Sequence, residues 1–166
     1  LDLVSRDISD FHTQVTGLNR AERHDFTLEE DNDTGADFPD IFFDDPATTV
    51  FIPITVPADS FSVIADIVQT TSPDLDMLLF LDADANGPDL DDVGDPAENP
   101  AACQSASGGS DEFCEIFSPT AGTYYVAIIN FEQVTDGGDQ VDLATAVISN
   151  NGADKGNLTV SGPATV

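Results

Sequence analysis

The sequence predicts an all-β fold, an antiparallel β-sandwich of the jelly-roll or Greek-key kind. About seven short runs rich in β-forming residues are separated by glycine, proline, asparagine and aspartate, which favour turns. No stretch has a convincing helical period, and the strands do not alternate with helices as they do in parallel sheets. The predicted strands are residues 48–56, 61–68, 74–82, 113–117, 123–131, 141–149 and 157–161.

A chain of 166 residues is long enough for one domain with its own core. Residues 1–25 differ in composition from the rest, because they hold three of the four basic residues and both histidines. We interpret them as an N-terminal extension or interdomain linker, with an edge strand as the alternative, and assign residues 26–166 to the sandwich domain. His12 and His24 lack the spacing of a metal or catalytic site and are interpreted as surface residues.

The predicted strands are bounded by residues that stop them. Residues 48–56 alternate in polarity, and Pro53 restricts this strand to a sheet edge or a bulge. Residues 74–82 form a nearly continuous apolar run between aspartates. Because this run is too short for a membrane span or a typical buried helix, we interpret it as a largely buried strand. The phenylalanines lie mostly in or beside the strands and are expected in the core.

A carboxylate-rich loop follows the 74–82 strand. Asp82, Asp84 and Asn86 alternate, and Gly87 with the following proline forces a turn. This D-x-D-x-N-G pattern matches the opening of a twelve-residue calcium loop, but Val93 stands at the twelfth position, so the loop is not an EF-hand. Our prediction is a looser Ca²⁺ loop, with a solvated acidic turn as the alternative; the candidate ligands are Asp82, Asp84, Asn86, Asp89, Asp91 and Asp92.

A second acidic group follows a short predicted strand that begins at Phe26. It is a second candidate cation site, with Glu29, Glu30, Asp31 and Asp33 as ligands.

The net charge of −28 at pH 7 excludes nucleic acid and anionic membranes as partners. The same charge favours a monomer, because two copies would repel each other. It also lowers stability through self-repulsion within the chain, unless high salt screens the charges or divalent cations neutralise part of them. The two cysteines, Cys103 and Cys114, are interpreted as a local disulfide, with two free thiols as the alternative. A disulfide implies an oxidising compartment, so we expect a secreted protein. Because Leu1 starts no signal peptide, the chain is interpreted as a mature or excised piece.

Three segments, residues 72–80 (SPDLDMLLF), 108–112 (GGSDE) and 121–128 (AGTYYVAI), resemble the bacterial pre-peptidase C-terminal domain. That family is a β-sandwich appended to secreted proteases and related to the collagen-binding modules of clostridial collagenases. The likeness covers roughly residues 26–161. In the collagen-binding relatives, calcium is held partly by an acidic N-terminal segment that folds back on the sandwich. The second acidic group of this chain is similar to that segment. The insertion at residues 89–102 departs from the family pattern.

The resemblance implies a non-catalytic accessory domain of a secreted protease, subtilisin-like or a metalloprotease, that acts in substrate docking, secretion or maturation. Its partner would be a protein polymer such as collagen, or the parent catalytic domain. Tyr124 or Tyr125, whichever faces outward, is the candidate for ligand binding. A carbohydrate-binding module is the alternative, which the absence of tryptophan disfavours. No catalytic constellation stands out, although a glycosidase built on two carboxylates is a third hypothesis.

Overall fold

The computed structural model describes residues 20–31, 38–45, 48–94 and 99–149. Within them the chain forms eight β-strands and two single-turn helices. The strands are β1 (Glu22–Leu28), β2 (Thr49–Val56), β3 (Ser60–Thr70), β4 (Asp74–Asp82), β5 (Ala102–Ala106), β6 (Phe113–Phe117), β7 (Gly122–Glu132) and β8 (Asp139–Ser149). The helices are α1 (Ile41–Asp44) and α2 (Leu90–Val93).

The strands form two four-stranded antiparallel sheets. Sheet A has the order β1-β8-β3-β6, and sheet B has the order β2-β7-β4-β5. The first strand pairs with the last, β2 with β7, β3 with β6, and β4 with β5. This nested pairing is the jelly roll, so the predicted fold class is confirmed.

The main core lies between the two sheets. Side chains that alternate along β3 and β7 point inward, as the period of two requires. They include Val63, Ala65 and Ile67 of β3 and Val126 and Ile128 of β7, all buried.

A second apolar cluster covers the outer face of sheet B. The short helices supply part of it, because Phe42 of α1 and Val93 of α2 are completely buried there with Phe80 of β4. The inner face of β4 meanwhile contributes Met77 and Leu79 to the main core. Both faces of β4 are therefore buried, which explains its nearly continuous apolar sequence.

A disulfide joins the two sheets at one edge. Cys103 lies in β5, the edge strand of sheet B, and Cys114 lies in β6, the edge strand of sheet A. Their Cα atoms are 5.7 Å apart, within the range that disulfides span. The predicted pairing is therefore present in the structure.

Most strand predictions agree with the structure to within a few residues. The exceptions are β5, which was not predicted, and the two helices, each too short to show a period. β1 crosses the predicted boundary between residues 25 and 26, since it pairs with β8 from Glu22 onward as the edge strand of sheet A. The predicted strand at 157–161 lies outside the described residues. No helix in the described part of the chain has the length and apolar character needed to cross a membrane.

Candidate metal site

Three aspartates converge where β4 ends. Asp82 is the last residue of β4, Asp84 lies in the following loop, and Asp92 belongs to α2. One carboxylate oxygen from each lies within 4.8 Å of the others. Two of these residues come from the predicted calcium loop opening, and the third returns from ten residues further along the chain.

The loop is folded by its own polar side chains. Asp84 accepts hydrogen bonds from the backbone N–H of Asn86 at 3.1 Å and from its side-chain amide at 2.8 Å. Asp82 accepts the N–H of Gly87 at 3.3 Å. Gly87 has a φ of +108°, which a residue with a side chain adopts only with strain. These contacts turn the chain back towards the end of β4.

Helix α2 positions Asp92. Its N-terminus is capped by Asp89, whose Oδ1 accepts the Asp92 N–H at 3.2 Å. At the other end, the Asn99 amide donates to the Val93 carbonyl oxygen at 2.9 Å. Val93 itself is fully buried in the outer cluster of sheet B. Capping at both ends and one apolar anchor thus hold a helix that a single turn could not stabilise alone.

Two carboxylate oxygens of this cluster are buried without a hydrogen-bond partner among the described residues. Asp92 is only 8% exposed; its Oδ1 accepts the Ala83 N–H at 2.7 Å, whereas Oδ2 has no hydrogen-bond partner among the described residues. Oδ1 of Asp82 is in the same situation. Burial raises the pKa of Asp92, the Ala83 N–H opposes this, and the carboxylates of Asp89, Asp82 and Asp84 raise it further. A cation bound among the three carboxylates would remove this cost.

A second buried aspartate shows the contrast. Asp139 is completely buried, but its carboxylate accepts the Thr71 hydroxyl at 2.9 Å, the Val134 N–H at 3.0 Å and the Asn130 amide at 3.3 Å. Although burial alone would raise the pKa of Asp139, hydrogen bonds from Thr135 and these three partners hold it below its usual value. Asp139 is satisfied by the protein itself, so it does not need a cation.

The remaining predicted ligands of the loop have other positions. Asn86 contacts the three-aspartate cluster through Asp84, and Asp89 caps α2. Asp91 is exposed on α2 and lies outside the cluster. The acidic sequence thus overstates the number of carboxylates that meet.

The second acidic group lies at the opposite end of sheet B. Glu30 forms a bridge with Asn130, and the Asp31 N–H donates to the Asn130 carbonyl oxygen at 2.8 Å. Asp82 instead pairs with Thr123, seven residues earlier along β7, which corresponds to about 23 Å. Glu29 also lies at this end, after β1, and Asp33 lies outside the described residues. No three metal-ligating residues of the described ranges converge there.

The two tyrosines face opposite sides of β7. Tyr124 is completely buried in the main core, so it cannot reach a ligand. Tyr125 faces outward, but it packs on the outer cluster, with its ring centroid 6.1 Å from that of Phe80. The outer face of sheet B is covered by α1 and α2, which the sequence did not reveal. Tyr125 is therefore the tyrosine that faces outward, and it is partly covered; ligand binding by it stays a prediction.

A further carboxylate group was missed. Asp74 and Asp76 lie on one face of β4, and burial, followed by the charges of Asp74 and Glu112, raises the pKa of Asp76 to about 7. Glu112 is 1% exposed and accepts hydrogen bonds from the Ser105 and Ser107 hydroxyls. The D-x-D spacing of a strand was the available signal, since it puts both carboxylates on the same face.

The sequence was compared with models of protein families and with curated proteins, and neither comparison finds a match.

Proposed function

We propose that this chain is a calcium-binding, non-catalytic β-sandwich module that serves as an accessory domain of a secreted bacterial protease. One observation carries the calcium proposal: Asp82 and Asp92 each bury a carboxylate oxygen without a hydrogen-bond partner among the described residues, within a cluster of three carboxylates. A bound divalent cation offsets both the desolvation and the mutual repulsion.

Calcium suits this site better than other metals. The three side chains offer only oxygen ligands, which favour calcium and magnesium over zinc or copper. They reach the site from a strand end, a loop and a helix, so their spacing adjusts more easily to the long, flexible coordination of calcium than to the strict octahedron of magnesium. Backbone carbonyls and water would complete the six to eight ligands.

Calcium at this position would hold α2 against the outer face of sheet B. Asp82 belongs to sheet B, whereas Asp92 is adjacent to Val93, which fills the outer cluster. An ion bonded to both therefore links α2 to the sheet that it covers. The expected role is structural, because it ties an otherwise marginal helix to the domain.

The extracellular location rests on two features. The Cys103–Cys114 disulfide is compatible with an oxidising compartment. Millimolar calcium, which fills weak sites of this kind, is also typical of extracellular modules. The protease connection rests on the resemblance of residues 72–80, 108–112 and 121–128 to the pre-peptidase C-terminal domain. The jelly roll is compatible with that resemblance, and the proposed roles are substrate docking, secretion or maturation.

Thermal unfolding tests the calcium proposal. We expect a rise in melting temperature of roughly 5–11 °C at calcium concentrations 100-fold above the dissociation constant, since binding then adds about 2.7 kcal/mol. Magnesium at matched ionic strength controls for charge screening, and EDTA sets the baseline. Equal stabilisation by both ions would contradict a specific site. Co-purification with a protease catalytic domain expressed in the same host, or its failure, tests the accessory role separately.

A further inference from the structure

The outer face of sheet A carries large apolar side chains that the described part of the chain leaves exposed. Phe113 is 50% exposed and Phe117 is 74% exposed, both on β6. Among the described residues the outer face of sheet B has no equivalent, because its phenylalanines pack in the outer cluster with α1 and α2. An exposed aromatic pair on a strand is therefore specific to this side of the sandwich.

The register of β8, β3 and β6 defines this surface, which we call the phenylalanine face. Its three rows of paired residues are Ile148, Ser62 and Phe117; Ala146, Ile64 and Glu115; and Ala144, Asp66 and Phe113. Two of its nine positions carry carboxylates, and most of the others are apolar. The surface combines aromatic contacts with negative charge.

The phenylalanine face ends at a sheet edge. Of the strands in the described part of the chain, β6 is the last in sheet A. The Ile67 N–H donates to the Glu112 carbonyl oxygen and the Ser118 N–H donates to the Phe61 carbonyl oxygen, which places the even-numbered backbone groups of β6 towards β3. The backbone groups of Phe113, Glu115 and Phe117 consequently point away from β3. The Phe113 N–H already donates to the Ser105 hydroxyl of β5 at 3.2 Å, so an added strand would pair with Glu115 and Phe117.

The negative charge of the protein indicates which kind of partner this face would bind. The sequence has no lysine or arginine between Arg23 and Lys155, so none lies on β3, β6 or β8. Arg23 lies on β1, at the other edge of sheet A, and is already paired with Asp142. A second copy of the chain, with the same net charge of −28, would be repelled, as would an anionic membrane. A positively charged partner is attracted, and the phenylalanines require that it also present apolar groups.

We propose that the phenylalanine face and the β6 edge bind an extended, basic polypeptide segment with alternating apolar side chains. Its cations would lie beside Asp66 and Glu115, and its apolar side chains would contact Phe113 and Phe117. The inference deepens the proposed docking role and rests on it for its biological meaning. It does not depend on the calcium site, which lies on the other sheet.

The test uses a fluorescein-labelled peptide of about 12 residues that alternates lysine and valine, a length sufficient to cover β6. Binding is followed by fluorescence anisotropy with calcium present. Phe117→Thr keeps the β-propensity of the strand but removes the ring, and it should weaken binding about tenfold. Val134→Thr is the matched control, because Val134 is 62% exposed but lies in the loop after β7. It should leave the affinity unchanged.

Three results would overturn the inference. Equal affinities of the wild type and Phe117→Thr would show that the ring makes no contact. Equally tight binding of a peptide that alternates lysine and serine would indicate general attraction to the net charge. A dimer in sedimentation that Phe117→Thr dissociates would assign the face to a second copy. The calcium-induced rise in melting temperature, measured on the same variants, shows whether the calcium proposal survives any of these outcomes.

Discussion

Replacing Asp92 by asparagine should change the stability in opposite directions with and without calcium. Asparagine has nearly the same shape as aspartate and retains an oxygen for the Ala83 N–H, so the loop contact at 2.7 Å is preserved. Without calcium, Asp92→Asn removes one of three clustered negative charges and should stabilise the fold. With calcium, it removes a charged ligand and should cost the binding energy.

The magnitude of both effects follows from the geometry. Two unit charges 4.8 Å apart repel by about 0.9 kcal/mol in a water-like dielectric, and Asp92 takes part in two such pairs. The variant should therefore gain about 2 kcal/mol in EDTA, or roughly 4–8 °C for a domain of this size. Calcium 1,000-fold above its dissociation constant adds about 4 kcal/mol to the wild type. The wild type should then exceed the variant by about 2 kcal/mol.

The assay is thermal unfolding followed by far-UV circular dichroism, in EDTA and in excess calcium. Asp91→Asn is the matched control, because Asp91 is the neighbouring residue on α2, carries the same charge and lies outside the cluster. It should shift both melts slightly and in the same direction. If Asp92→Asn destabilises the protein equally in both buffers, Asp92 contributes to the fold without binding calcium, which would contradict the proposed site.

Two other predictions concern the rest of the fold. Replacing Cys103 and Cys114 by serine should lower the free energy of unfolding by about 3 kcal/mol, measured by urea denaturation, because the disulfide closes a loop between two edge strands; an unchanged midpoint would contradict this. The pKa of Asp76 is raised to about 7 by burial, then by Asp74 and Glu112, so between about pH 4 and 7 the folded state retains a proton that the unfolded state has lost. The free energy of unfolding should fall as the pH rises through this window. Asp76→Asn should therefore be more stable than the wild type at pH 8 and equally stable near pH 4. If the difference in unfolding free energy between the two proteins does not change with pH, this carboxyl does not titrate as inferred.

The sequence was sufficient to predict the strands because most of them have one buried face. Alternation along residues 48–56 and the nearly continuous apolar run of residues 74–82 indicate strands, and the turn residues specify where strands end. β5 escaped prediction because its sequence, ACQSA, has little apolar content. It is held by pairing with β4 and by the disulfide, and neither contact is local in the sequence.

All three aspartates of the candidate site were among the six predicted ligands of the loop, but the sequence could not show which of the six meet. Asp82, the last residue of β4, and Asp84 are two positions apart, so a motif can reveal them. Asp92 joins them only because α2 packs against sheet B through Val93, and a four-residue helix has no sequence period. The covering of sheet B by α1 and α2 likewise determines that Tyr125 is partly covered, whereas Phe117, on sheet A, is exposed. Such tertiary coverage cannot be derived from the local pattern of a strand.

The most direct test of the calcium site is a crystal structure of the protein grown with calcium, with anomalous scattering to identify the ion. We expect a calcium peak about 2.3–2.6 Å from an oxygen of each of Asp82, Asp84 and Asp92. The proposed site would be contradicted if this position held ordered water alone and calcium were bound instead beside Glu30 and Asp31, at the opposite end of sheet B.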